Sequence, residues 1–149
     1  MKKSKIILAV LILSMMALIF SGCGGVSGPK TAKLNISIEP NPVPYSSEQG
    51  LWWYTMNISE SNGVGVSITS LTFNYYYQED QFIGTQVLVA SEFFEWFETD
   101  YVPAFSAIQT GIDSPSKDTS EYHDIVIVAG IDDNGNSVEA TVRIDYLPK

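Results

Sequence analysis

Val138, Ala140, Val142 and Ile144 alternate strictly with Glu139, Thr141, Arg143 and Asp145 near the end of the chain. Only a strand with one buried and one wet face has that period. Just before it, Asp124 to Ile131 is a near-continuous β-branched run, and Asp132 to Asn136 (Asp-Asp-Asn-Gly-Asn) is a turn sequence. The three pieces predict a hairpin, because Asn-Gly tolerates the positive φ that a tight turn demands. The first strand is apolar on both faces and belongs in the middle of a sheet; the second has one face for solvent.

Similar signals recur upstream. Leu34, Ile36 and Ile38 alternate with polar neighbours, and Pro40, Pro42 and Pro44 then force the chain out of the sheet or along its edge. Trp52, Tyr54, Met56 and Ile58 predict a second strand with unusually large inward side chains, ended by Ser61-Asn62-Gly63. Val66, Ile68, Leu71, Phe73 and Tyr75 predict a third, and the slip of phase between Ile68 and Leu71 predicts a bulge near Thr69 and Ser70. Gln78 to Gln81 reads as a polar turn, Phe82 to Ala90 as another strand, and Asp113 to Glu121 as an exposed loop. Between them, Phe93, Trp96, Phe97 and Tyr101 have near-helical spacing while Phe93, Glu95 and Phe97 alternate. Aromatic residues favour strands and Pro103 closes the segment, so strand or irregular structure is expected over Ser91 to Ile112.

About seven strands without a long helix or an internal repeat argue for an all-β, antiparallel β-sandwich. A first strand broken by prolines, the turn from Ile58 to Val66 and the Asp-Asp-Asn-Gly-Asn hairpin resemble bacterial immunoglobulin-like and fibronectin type III-like domains. The resemblance implies a single immunoglobulin-like sandwich over residues 33–149.

The amino terminus has another logic. Lys2, Lys3 and Lys5 precede an uncharged apolar run from Ile6 to Phe20, closed by Ser21, Gly22 and Cys23. That is the pattern of a secretory signal, with an apolar run shorter than the roughly 20 residues of a membrane-spanning helix. Phe20-Ser21-Gly22-Cys23 resembles the lipobox of bacterial lipoproteins, with Phe20 where Leu is usual. The resemblance implies a signal peptide over 1–22, removed on export, and a diacylglycerol on the Cys23 thiol with further acylation of the new amino terminus. Cys23 is the only cysteine and can form no intramolecular disulfide. Several acyl chains hold a protein stably where one does so marginally. Gly24 follows the cysteine instead of the Asp that resembles an inner-membrane retention signal. The expected location is therefore the outer membrane of a Gram-negative cell or the outer face of a Gram-positive membrane. Residues 23–32, rich in Gly, Ser, Pro and Lys, read as a lipidated flexible tether in which nothing should pack.

Removing three lysines with the signal leaves five basic residues against seventeen acidic ones, a formal charge of −12 on the mature chain. Such a surface repels nucleic acid and gives no polybasic attraction to anionic lipid. The expected partners are membrane lipid through Cys23 and a protein or glycan of the envelope.

Chemistry is sparse. The single histidine, His123, stands beside Asp124 at the start of an expected strand, and the only thiol is assigned to lipid, so the histidine reads as structural and a hydrolase of unfamiliar type is the weaker alternative. No cofactor is implied. Asp132, Asp133, Asn134 and Asn136 offer oxygen ligands for calcium without the spacing of an EF-hand, and the turn already explains them. The more specific feature is the aromatic load: three Trp, eight Tyr and seven Phe, several at adjacent positions. Neighbours on a strand face opposite ways, so some must point outward, and Trp53, Tyr76 and Trp96 are candidates to stack on a sugar ring or fill a partner's pocket. The chain reads as a non-catalytic binding module.

Overall fold

A computed structural model describes residues 28–77, 80–114 and 122–149. Leu34 and Ile38 turn inward from β1 (Leu34–Glu39), and the proline segment leads through β2 (Tyr45–Ser46) into β3 (Leu51–Glu60). Trp52, Tyr54, Met56 and Ile58 of β3 are fully buried, as their alternation predicts. β1 and β2 pair with one side of β3, and β7 (Ala107–Ser114) pairs with the other; all are antiparallel. The second sheet runs β5 (Gln81–Val89), β4 (Val66–Tyr77), β8 (Tyr122–Asp132), β9 (Ser137–Asp145), with the short β6 (Tyr101–Val102) beside the start of β4. The chain is thus all-β, two antiparallel sheets enclosing one core.

Several expectations hold in detail. β8 is central, between β4 and β9, and β9 turns Glu139 and Thr141 to solvent. The register of β4 on β8 shifts between Ile68 and Ser70, where the slip of phase placed a bulge. Gly130 faces that irregularity: a Cβ there would lie 2.6 Å from the Ser67 carbonyl oxygen, so the backbones approach closely only because it has none.

Within Ser91 to Ile112, expected as strand or irregular structure, the stretch up to Phe97 differs and the rest agrees. Residues Ala90–Phe97 form helix α1, followed by β6, a turn, and β7. Phe93 and Phe97, one helical turn apart, stack with centroids 4.4 Å apart and enter the core together, while a strand would have exposed one sheet face of adjacent aromatics. The Glu92 carboxylate accepts the Val89 N–H at 3.0 Å, and Glu98 ends the helix in the left-handed region at φ +60°, its N–H donating to the Phe94 carbonyl. Burial at helical spacing plus two satisfied ends outweighs aromatic strand propensity. The loop expected from Asp113 begins inside β7, and its residues 115–121 lie outside the described ones, as do Gln78 and Glu79 of the expected turn.

One pole of the sandwich is organised by two buried carboxylates. Glu60, at the end of β3, accepts backbone N–H groups from Lys33 (3.0 Å), Asn62 (2.7 Å), Gly63 (2.8 Å), Val64 (3.2 Å) and Phe105 (3.1 Å). Asp132, at the end of β8, accepts those of Ala32 (3.0 Å), Asn134 (2.9 Å) and Asn136 (2.8 Å) and the Asn136 side-chain amide. Asn62 Nδ2 also donates to the Thr31 carbonyl, and Asn134 Nδ2 to that of Lys30. The expectation that nothing packs before residue 33 is therefore corrected. Ala32 is buried, and the chain is strapped to the pole from Lys30 onward, because its amides are the donors these acids need.

Burial pushes the Glu60 carboxyl up, but the amides of Lys33, Asn62, Phe105 and Gly63 outweigh it and bring it from 4.5 down to about 2. A depressed carboxyl contributes stability that is present above about pH 4.5 and lost as pH falls toward about 2. Glu60→Gln keeps the shape and removes the charge. It should cost about 1–3 kcal/mol and flatten the acid limb of the stability profile, read by thermal melts between pH 2 and 7.

Candidate functional site

The aromatic candidates do not form one patch. Trp53 points out of the first sheet from β3, opposite Asp113 of β7, and is half exposed. Its indole lies over Gly111: a Cβ there would be 3.2 Å from Nε1, so the missing side chain lets the ring lie against the sheet. Alternation puts Thr55 and Asn57 of β3 on the same face, with Gln109 of β7 paired to Asn57 and Ser37 of β1 paired to it from the other side. The result is an aromatic platform in a polar sheet surface, a geometry suited to stacking on a ring that carries hydroxyls.

Tyr76 lies on the outer face of the second sheet, the opposite side of the molecule. It pairs in register with His123, and the two rings stack with centroids 5.0 Å apart and planes 3° apart, with Phe82 edge-on at 5.6 Å. One ring face is thus already occupied, so Tyr76 makes a poorer platform than expected. Trp96 stands on α1, about one-third exposed, with its ring 6.0 Å from Phe73 and its carbonyl accepting from the Thr110 hydroxyl at 2.7 Å.

A further group of exposed apolar residues was not singled out in the sequence. Phe82, Ile83, Val87 and Val89 of β5 and Phe94 of α1 are each about half exposed. β5 is an edge strand, and its nine residues Gln-Phe-Ile-Gly-Thr-Gln-Val-Leu-Val carry no charge or proline, the devices that usually protect an edge. The signal available in the sequence was that missing protection; without topology, nothing told an edge strand from a central one.

The titratable groups are held in place by structure. His123 is buried, with Nε2 3.4 Å from Asp80 Oδ1; Arg143 Nη1 lies 3.7 Å from the same oxygen, and Arg143 Nε donates to Asp145 at 2.7 Å. Burial and then Arg143 hold the imidazole below its usual range, against the opposing pull of Asp80 and Asp145. No hydroxyl or thiol among the described residues is hydrogen-bonded to it.

The calcium candidates do come together, but their oxygens face donors. Asp132 is ringed by N–H groups, which outweigh its burial and hold its carboxyl below the usual range. Asp133 accepts the Tyr101 hydroxyl at 3.0 Å. A cation at Asp132 would meet amide hydrogens, whereas calcium needs oxygens turned toward it. No group of three metal-ligating side chains occurs among the described residues. Cys23 lies outside them.

Asp124 is the exception in the core. It is buried on β8, where Tyr146 donates to its Oδ2 at 2.7 Å, and Oδ1 has no hydrogen-bond partner among the described residues. The Tyr54 ring lies 6.2 Å from that of Tyr146, which extends the polar pair into the inner face of β3. Burial pushes the Asp124 carboxyl up to about 7, against the lowering effect of the Tyr146 hydroxyl.

No protein-family model and no curated protein matches the chain. Among solved structures it is similar to the ApaA protein of Bordetella pertussis, at 15% identity over 77% of this chain and 94% of that one, with a TM-score of 0.53. It is also similar to the CARDB domain of the PF1109 protein from Pyrococcus furiosus, solved in complex with di-metal ions, at 12% identity over 79% and 96% with a TM-score of 0.46. The sporulation control protein Spo0M of Bacillus subtilis matches at 12% identity over 81% of this chain and 51% of that one, with a TM-score of 0.42. At 15% identity the likeness to the Bordetella protein is one of fold alone.

Because Asp124 keeps its proton to about pH 7 in the fold and loses it near 3.8 when unfolded, its contribution to stability declines as pH rises through that interval. Asp124→Asn should remove this decline and raise stability at pH 8 by on the order of 3 kcal/mol, with little change at pH 4. Denaturant titrations at the two pH values check it.

Proposed function

We propose that this chain is a bacterial envelope lipoprotein, acylated at Cys23, whose immunoglobulin-like sandwich binds a partner and catalyses no reaction. The observation that carries the binding role is the set of half-exposed apolar residues along β5 and on α1: Phe82, Ile83, Val87, Val89 and Phe94. Exposed apolar residues on an uncharged strand suit an interaction site, and a strand that is at the sheet's edge among the described residues adds main-chain donors and acceptors to it. The buried acids support the same reading, since Glu60 and Asp132 spend their charge on backbone amides. The anchor draws its support from the signal pattern and the lone cysteine at its end.

A photo-reactive amino acid at Val87 in the native envelope should give one discrete adduct. Ile83→Lys should abolish it while leaving the melting profile within a few degrees of the parent, since exposed edge substitutions cost about 0.5 kcal/mol or less. An unchanged adduct would remove β5 from the binding surface.

A second reading, carbohydrate binding, is favoured by Trp53 lying over Gly111 among polar side chains. On a glycan array probed with the detergent-extracted full chain, Trp53→Ala should weaken a bound glycan roughly three- to tenfold. Trp96, set against Phe73, should matter less.

A further inference from the structure

The acid-clamped pole carries more than the incoming chain. Phe105 lies in the turn between β6 and β7, closed by the Ser106 N–H donating to the Pro103 carbonyl at 3.1 Å. At 72% it is the most exposed of the large hydrophobic residues described, and its backbone is in the left-handed region at φ +53°, which a bulky side chain rarely adopts. Two things keep it there: its N–H is bound by Glu60, and its ring lies on Gly63, where a Cβ would collide with the phenyl edge. The fold thus holds a phenyl ring outward at the end where the amino-terminal segment enters.

That end has a defined place relative to an anchor. From Lys30 on, the chain is tied to the pole, and seven Cα-to-Cα steps separate it from Cys23. Fully extended, they span at most about 25 Å. The ten residues of β3 carry the far end of the sandwich roughly another 33 Å away. The pole also differs in charge from the rest. Residues 28–33, 61–65, 103–106 and 133–136 form its surface, and their exposed charges are Lys30, Lys33 and Asp133, two positive and one negative, in a mature chain of net −12. Glu60 and Asp132 are buried behind amides. Tyr101, its hydroxyl held by Asp133, and Ile131 flank the same end and are partly exposed, and the exposed Asp100 adjoins Tyr101.

We infer that this pole rests against the membrane interface, with the Phe105 ring as its contact. The inference relies on the acylated Cys23 of the proposed function. Aromatic rings partition to the headgroup region of bilayers, and the least acidic end of an acidic protein is the end that anionic headgroups repel least. The acyl chains supply the attachment, and the ring sets the tilt.

The test uses the full chain, extracted with its lipid and reconstituted into vesicles of phosphatidylethanolamine and phosphatidylglycerol. Acylation consumes the Cys23 thiol, so Phe105→Cys offers one site for a nitroxide label, and Glu48→Cys, at the far end, offers an aqueous reference. The label at 105 should be several-fold more accessible to oxygen and less accessible to a nickel chelate than the label at 48. Ala104→Cys, which keeps the ring, should report the same shielding and lose it when combined with Phe105→Asp; this pair decides the matter where Phe105→Cys itself disturbs the fold. Labels at 104 and 105 as aqueous as that at 48, on protein whose intact mass shows acylated Cys23, would overturn the docking and leave the lipoprotein reading standing. An unacylated Cys23 would overturn both.

Discussion

A single carboxylate accepting five backbone amides determines how this sandwich closes at one end. Glu60 collects N–H groups from the strand entry at Lys33, from its own turn at Asn62 to Val64, and from the β6–β7 turn at Phe105. These three segments continue β1, β3 and β7 past the end of their shared ladder, where the sheet itself no longer offers these N–H groups a partner. Asp132 repeats the device on the second sheet with Ala32, Asn134 and Asn136. The two acids therefore join the layers where hydrophobic packing cannot, because loops cannot bury their backbone without donors and acceptors being matched.

What was readable in the sequence was whatever a period of two encodes. Trp52 to Ile58 and Val138 to Ile144 announced their faces, and even the bulge of β4 was visible, since an extra residue shifts every later side chain to the other face. The helix was misread because Phe93, Trp96 and Phe97 satisfy two periods at once, and the deciding interactions, the Phe93–Phe97 stack and the bond from Val89 to Glu92, become apparent only once the helix exists. Glu60 and Asp132 were invisible for a different reason. An acid beside a turn reads as a surface residue, and nothing in one sequence shows that amides from 27 and 100 positions away converge on it. The strap at residues 30–33 was missed in consequence, because its composition suits a tether and its partners lie in distant loops.

The candidate site was legible in kind and not in place. Adjacent aromatics required some to be outward, and Trp53 and Trp96 are; Tyr76 is outward too, but His123 covers one of its faces. That Trp53 and Tyr76 fall on opposite faces of the molecule follows from which sheet each strand joins, a fact of topology that no local pattern carries. The apolar edge of β5 belongs to the same class: its residues were read as a strand, and only its position at the end of the second sheet leaves them uncovered.

The strap has a mechanical consequence. The chain enters at the Glu60 end of β3, whereas Lys149 ends beside Tyr45 and Trp52 at the other, with its ammonium 5.1 Å and 5.7 Å from their ring centres. A pull applied between the segment entering at Lys30 and the Lys149 end therefore runs along the strands, loading the β1–β3 ladder in shear with its bonds sharing the force, instead of peeling them one by one. The ties at Lys30, Thr31, Ala32 and Lys33 stand in that line in that order and would have to rupture before β1 feels tension.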